Sequence, residues 1–174
     1  MKDRLELMKS LPFTGEGVEI GVAGGFFSYH ILAGMPLSQL YSIDPWSRPE
    51  AEPLDDAHTS SIKLYWETFR QLGEFRSRST LLRCTSEEAA PQFADGQLDF
   101  VYIDGDHRYA AIKRDIELWF PKVRPGGFFG GHDYYVHTPG VIQAVDESGL
   151  PVLLTDCDEV NGGAPVRTWW IIKP

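Results

Sequence analysis

A chain of 174 residues suits one domain, residues 1–174, and is long enough to bury a sizeable core. Hydrophobic residues make up 43% and charged residues 24%, an ordinary globular composition, and the net charge of −9 comes with no basic stripe that would track a nucleic-acid backbone. No run has the apolar length of a membrane span or the layout of a signal peptide, and two cysteines, Cys84 and Cys157, read as thiols of a reducing compartment, the cytoplasm. The arginines nearest to a cluster, Arg70, Arg76, Arg78 and Arg83, read as a solvated face, which leaves a neutral or cationic small molecule as the easier partner.

Leu5, Leu7, Met8 and Leu11 predict a short leading helix that stops at Pro12. Gly17 to Val22 follows as an apolar strand, β-branched at Val18, Ile20 and Val22, and opens into a turn carrying Gly21, Gly24 and Gly25. An amphipathic segment from Phe26 to Met35 reads as the next helix. Strand, glycine turn and helix together form a cradle for a nucleotide-like ligand, because glycine lets the backbone approach closely and a helix start offers N–H groups to an anion. The alternative is a tight turn needed only for packing. The spacing is not the Gly-x-Gly-x-x-Gly of a dinucleotide site; it runs Glu19, Gly21, Ala23, Gly25.

A second strand, Leu40 to Ile43, ends on Asp44, about 20 residues beyond the cradle, where an acid can accept hydrogen bonds from both hydroxyls of a ribose. Pro45 to His58 holds three prolines and four acids and is expected to be a loop acting as a flap, with Trp46 lining the ligand pocket. Ser60 to Leu72 predicts a helix whose Ile62, Tyr65, Trp66, Phe69 and Leu72 form the core face. Ser79 to Cys84 is the third strand. Thr85 and Glu88 then match a capping box.

Leu98 to Ile103 is nearly all apolar, as in a parallel strand buried on both faces, and it ends on Asp104, Gly105, Asp106 and His107. Clustered acids at a strand end cost stability unless a cation or proton offsets them, so their presence there argues for function. After a helix from Tyr109 to Phe120, Pro125 to Tyr134 reads as a turn and a strand that deliver His132 and Asp133. Convergence of Asp104, His132 and Asp133 would suit a hard divalent cation, Mg²⁺ first and Mn²⁺ second. The alternative is that these groups bond neighbouring loops or the methionine end of a cofactor. Thr138, Pro139 and Gly149 bound a last helix, and Val152–Thr155 and Thr168–Ile172 predict an antiparallel hairpin around a polar loop tipped by Asn161, Gly162 and Gly163.

Five segments in order, Glu19 to Gly25, Ser42 to Trp46, Ile103 to His107, Arg124 to Gly127 and Gly131 to Tyr134, resemble the class I S-adenosylmethionine-dependent methyltransferases. More narrowly, the chain is similar to the compact family that includes macrocin-type sugar O-methyltransferases and cephalosporin hydroxylase-like proteins. The resemblance implies an α/β, Rossmann-like three-layer sandwich with a seven-stranded, mostly parallel sheet and an antiparallel C-terminal hairpin. It implies S-adenosyl-L-methionine as donor, with Glu19, Gly21, Ala23, Gly25 and Asp104 around its methionine end, Asp44 on the ribose and Thr85 and Ser86 near the adenine. In several relatives a Mg²⁺ sits on acids matching Asp104, His132 and Asp133; position 132 is histidine here. His107 is the expected general base for O-methylation of a small-molecule hydroxyl, with Asp106 as rival base or as the group that orients it. A silent S-adenosylmethionine-binding module and an NAD-dependent enzyme stay as alternatives, and a homodimer stays open.

Overall fold

The computed structural model describes residues 3–46 and 62–174. Most of the expected flap, from position 47 onward, lies outside the described residues.

Helix α1 (Arg4–Ser10) is capped by Asp3, whose carboxylate accepts from the N–H of Leu5 and Glu6, and it buries Leu7 and Met8. Strand β1 (Glu16–Ile20) leads through the glycine turn into α2 (Phe26–Gly34), and β2 (Gln39–Ile43) follows. After α3 (Ile62–Gln71) come β3 (Ser79–Leu82), the single-turn α4 (Ser86–Ala89), β4 (Leu98–Ile103), α5 (Tyr109–Trp119) and β5 (Val123–Gly131). The chain closes with α6 (Pro139–Glu147), the two-residue β6 (Leu153–Leu154), a small hairpin β7 (Glu159–Asn161) and β8 (Ala164–Val166), and β9 (Trp169–Ile172).

Among the described residues, seven strands form one sheet in the order β3-β2-β1-β4-β5-β9-β6. The first five run parallel, and β9 pairs antiparallel with both β5 and β6. The expected closing hairpin is therefore present, and its polar loop holds a second hairpin of its own, β7–β8. From β1 the chain steps outward to β2 and β3, then returns across β1 to place β4 on its other side. Ligands of open α/β sheets bind at such a reversal, outside the carboxyl ends of the strands.

Strand β4 shows why the sheet is central: all six of its residues are buried. Val101 and Ile103 pack into one core layer with Ile112, Ile116 and Trp119 of α5. Phe100 and Tyr102 face the opposite layer with Phe27, Ile31 and Leu32 of α2 and Leu7 and Met8 of α1. This alternation places helices on both faces, which makes three layers.

The core face of α3 differs from the expected one. Ile62, Trp66 and Phe69 are exposed, whereas Thr68 and Leu72 are buried. The helix lies beside the glycine turn, where Thr68 Oγ1 donates to Ala23 O at 3.0 Å and to its own Leu64 O at 2.9 Å. A short side chain is required where the helix meets Gly25, since a Cβ on Gly25 would stand 2.8 Å from Thr68 Cγ2. Trp66 and Phe69 are left to solvent, while Tyr65 is half-buried with its ring 5.2 Å from that of Trp46.

The sheet interior sets a test of this packing. A Cβ on Gly131 would stand 2.5 Å from Ile103 O and 2.7 Å from the Trp169 ring, whereas Gly149, at φ +69, has nothing within 4 Å. Gly131→Ala is expected to cost about 3 kcal/mol or more by overpacking, and Gly149→Ala only the roughly 1–2 kcal/mol of a left-handed backbone. At ~2–4 °C per kcal/mol for a domain of this size, calorimetric melting should separate the two variants clearly, and equal losses would contradict the packing.

Candidate functional site

A cleft of about 750 Å³ opens at the carboxyl ends of β1, β2, β3 and β4, lined by the glycine turn, Asp44, the start of α4 and the segment from Asp104 to Arg108. Its size is that of a small-molecule site. Glu19, Gly21, Ala23, Asp44, Thr85, Ser86, Asp104, Asp106, His107 and Asp133 all line it; Gly25 sits at the α2 N-cap just behind.

The turn after β1 is held by two kinds of close approach. Gly21, at φ +82, lies against the backbone of Asp104 and Gly105, where any Cβ would overlap the Asp104 carbonyl. Asp104 N–H in turn donates to Ile20 O at 2.7 Å. The second is the Asp44 carboxylate: Oδ2 accepts from Val22 N at 3.0 Å and Ala23 N at 3.1 Å, and Oδ1 accepts from Trp46 N at 2.8 Å. Asp44 thus closes the turn with charge-assisted bonds while facing the cleft. Ala23 takes φ +48, a left-handed conformation for which glycine is the unstrained choice. Trp46, expected to line the pocket, is fully buried instead; its Nε1 donates to Ala23 O at 2.9 Å and pins the turn from behind.

Beneath the turn, Glu19 is 1% exposed. It accepts from Ser28 Oγ, which also lies 3.1 Å from Ser42 Oγ. Burial pushes its pKa up to about 8, against the pull of the Ser28 hydrogen bond. Arg4 of α1 reaches the same end of the cleft, its guanidinium 4.8 Å above the Phe27 ring and 3.4 Å from Asp104 Oδ2. Sequence reasoning missed Arg4, and nothing in its local pattern distinguishes it from a solvated helix charge.

On the opposite wall, Thr85 and Glu88 form the expected capping box. Ser86 donates to Asp115 and accepts from Trp119 Nε1 at 2.7 Å. Both side chains stand beside the cleft while serving local structure. Burial lifts the Asp115 pKa to about 7, opposed by the Ser86 hydrogen bond.

Asp104, His107 and Asp133 meet at the tips of β4 and β5, offering one ligand atom each within 4.8 Å of one another. His107 Nε2 lies 3.0 Å from Asp133 Oδ2. Asp133 takes φ +58, which turns its carboxylate back toward both histidines. Burial pushes its pKa up, but hydrogen bonds from His107 and His132 outweigh that and hold it well below the usual carboxylate range. Asp104 is raised, by burial first and then by Asp133, with His132 and Arg4 opposing. His132 stands behind this group, its side chain 5% exposed, with Nδ1 3.2 Å from Asp133 Oδ2 and 3.8 Å from Asp104 Oδ1. The third donor facing the cleft is therefore His107, on the turn after β4, where the sequence pointed to His132. The Asp106 carboxylate is held by Arg108, whose Nε donates to both its oxygens, at 3.0 and 2.7 Å, and whose backbone N–H donates to Oδ1 at 2.9 Å.

Three comparisons bear on this geometry. The family model described as methyltransferase domain matches residues 18–134. An uncharacterized protein of Sinorhizobium fredii is 29% identical over 127 residues, covering 71% of this chain and 13% of that protein, so the chain spans a small part of that relative. Among solved structures, a putative rRNA-methylase from Clostridium thermocellum superposes with a TM-score of 0.70 at 16% identity, covering 100% of this chain and 99% of that one. A putative methyltransferase from Streptococcus mutans in complex with SAH gives 0.69 at 11% identity, covering 98% of each. An O-methyltransferase from Bacillus cereus, also in complex with SAH, gives 0.66 at 14% identity, covering 91% of this chain and 74% of that one.

The buried Glu19 makes stability depend on pH in a definite direction. A carboxyl whose folded pKa is about 8, against 4.5 unfolded, stabilises the fold fully below pH 4.5 and loses that contribution as pH rises through 8. Glu19→Gln keeps the neutral shape and removes the titration. The melting temperature of Glu19→Gln minus that of the wild type, both ligand-free, should therefore be larger at pH 9 than at pH 5. The difference should correspond to on the order of a few kcal/mol; a difference of opposite sign would contradict the assignment.

Proposed function

The chain belongs to the class I S-adenosylmethionine-dependent methyltransferases, and from that premise we propose that it methylates a hydroxyl of a small molecule. The observation that carries this reading is the His107–Asp133 pair, which faces the cleft that would hold the donor. When bound, S-adenosylmethionine supplies a methyl group activated on a sulfonium.

The residues present fit that donor. The cradle leaves no room for a side chain at Gly21, Glu19 lies buried below it, and Arg4 offers a positive charge to a carboxylate. Asp44 lines the cleft at the end of β2, where it would meet the ribose of that donor. Thr85 and Ser86 line the wall of the cleft where the adenine would lie. Because the donor is already activated, the protein's tasks are alignment and proton removal. Asp133 accepts at Oδ2 from His107 Nε2–H, fixes the ring and stabilises the imidazolium that forms when His107 takes the acceptor's proton. Asp106, tied to Arg108, anchors the turn that carries His107 and is not the base in this reading.

A second reading rests on the donor set Asp104, His107 and Asp133: two carboxylates and an imidazole suit Mg²⁺ or Mn²⁺, which would acidify an acceptor hydroxyl. A chelated His107 is not a base, so the two readings exclude each other at that residue. The acceptor as a sugar or natural product, the absence of nucleic-acid and membrane partners, and a cytoplasmic setting belong to this same proposal. Among the described residues no helix is long and apolar enough to cross a membrane.

Calorimetric titration with S-adenosylhomocysteine should show one site, weakened about tenfold or more in Asp44→Ala, and no comparable heat with NAD. Transfer from labelled S-adenosylmethionine to a panel of hydroxylated small molecules should fall roughly 10²–10⁴-fold in His107→Ala and persist in EDTA. Transfer abolished by EDTA and restored by Mg²⁺ would favour the cation reading. Binding of NAD without S-adenosylhomocysteine would overturn the proposal.

A further inference from the structure

The polar chain behind the His107–Asp133 pair extends well past the strand tips. His132 Nε2 lies 3.5 Å from Asp158 Oδ2, and the Asp158 side chain is 0% exposed. Asp158 stands just before β7, on the loop between β6 and the small hairpin, 25 positions beyond Asp133. Its Oδ2 also accepts from Thr168 Oγ1 at 2.7 Å, and Thr168 Oγ1 lies 2.7 Å from Tyr102 Oη on β4. Among the described residues His132 Nε2 and Asp158 Oδ1 are buried with no hydrogen-bond partner. A carboxylate without solvent is retained only where geometry and pairing offset its lost hydration, and here the His132 imidazole lies against it while the Arg4 guanidinium acts on it through space.

We propose that Asp158 is a positioning residue: by facing His132 Nε2 it sets the ring so that Nδ1 addresses Asp133, and thereby fixes the carboxylate that orients His107. The inference rests on the reading of His107 and Asp133 as the working pair. Three features support it. The His132 ring lies between two carboxylates, at 3.2 Å on one side and 3.5 Å on the other. Asp133 holds a left-handed backbone that a non-glycine residue adopts only with support; Thr138 Oγ1 donates to its carbonyl at 2.6 Å, and His132 meets its carboxylate. The hairpin that delivers Asp158 is itself anchored, with Asp158 N–H donating to Val166 O at 2.8 Å and Tyr135 Oη donating to Asn161 O at 2.9 Å. The C-terminal hairpin thus carries a part of the site, joined to it through one histidine.

The test uses the full chain, ligand-free, with ¹⁵N-labelled histidine, and reads the imidazole resonances by NMR at one pH; His107 is assigned by the signal lost in His107→Gln. Asp158→Ala should displace the His107 resonances in the same direction as Asp133→Asn, although Asp158 does not touch His107. Asp158→Asn, which keeps an acceptor oxygen, should bring them most of the way back. Should Asp158→Ala not fold, His132→Gln takes its place with the same expected displacement. His107 resonances that stay at their wild-type positions in a folded variant lacking either group would overturn the inference, as would Asp158→Asn and Asp158→Ala behaving alike. S-adenosylhomocysteine binding, measured on the same samples, keeps the two claims apart: its absence in the wild type sinks the methyltransferase reading, while displaced His107 signals still support the positioning role.

Discussion

Everything at the cleft depends on one close approach between two backbones. Gly21 leaves β1 with φ +82 and lies directly on the Asp104–Gly105 peptide at the end of β4. The neighbouring ladder bonds, Gly21 N to Ile43 O at 2.9 Å and Asp104 N to Ile20 O at 2.7 Å, bring the tips of β1, β2 and β4 to one level. A side chain at position 21 would push the first strand off the fourth, and with it the glycine turn from the acids. Because the sheet order reverses at this point, the same contact that closes the backbone opens the cleft.

Around that contact the chemistry divides into two halves with different electrostatics. On the turn side, Asp44 is satisfied by three backbone N–H groups, and Glu19 is kept in its neutral form by burial well into the physiological range. On the β4–β5 side, Asp133 is held ionised between two histidines while Asp104, a neighbour in the same cluster, is raised. Carboxylates within one pocket are thus pushed apart in pKa by their surroundings, which is how acid and base roles become distinguishable in one fold.

Much of this was legible in the sequence because local signals and the fold agree. The β-branched run before Gly21, the nearly all-apolar β4 and the capping box at Thr85 each occupy the place their pattern assigns. Helix α3 misled because periodicity finds a stripe without saying which way it faces; here Thr68, a residue no hydropathy pattern singles out, sits inward under the turn while Trp66 and Phe69 face out. His132 stands behind the cleft rather than in it for a similar reason. Adjacency to Asp133 in the chain does not determine side-chain direction when Asp133 takes a left-handed backbone. Arg4 and Asp158 carry no local signal: each reaches the site from far along the chain through tertiary packing alone.

The central claim is that the space between the Gly21 turn and Asp104 receives the methyl donor. A crystal structure of the chain grown with S-adenosylhomocysteine tests it most directly. The account predicts the ligand in that cleft, its ribose hydroxyls on Asp44 and its sulfur turned toward His107. A ligand found elsewhere on the molecule, or Asp44 facing away from it, would contradict the account.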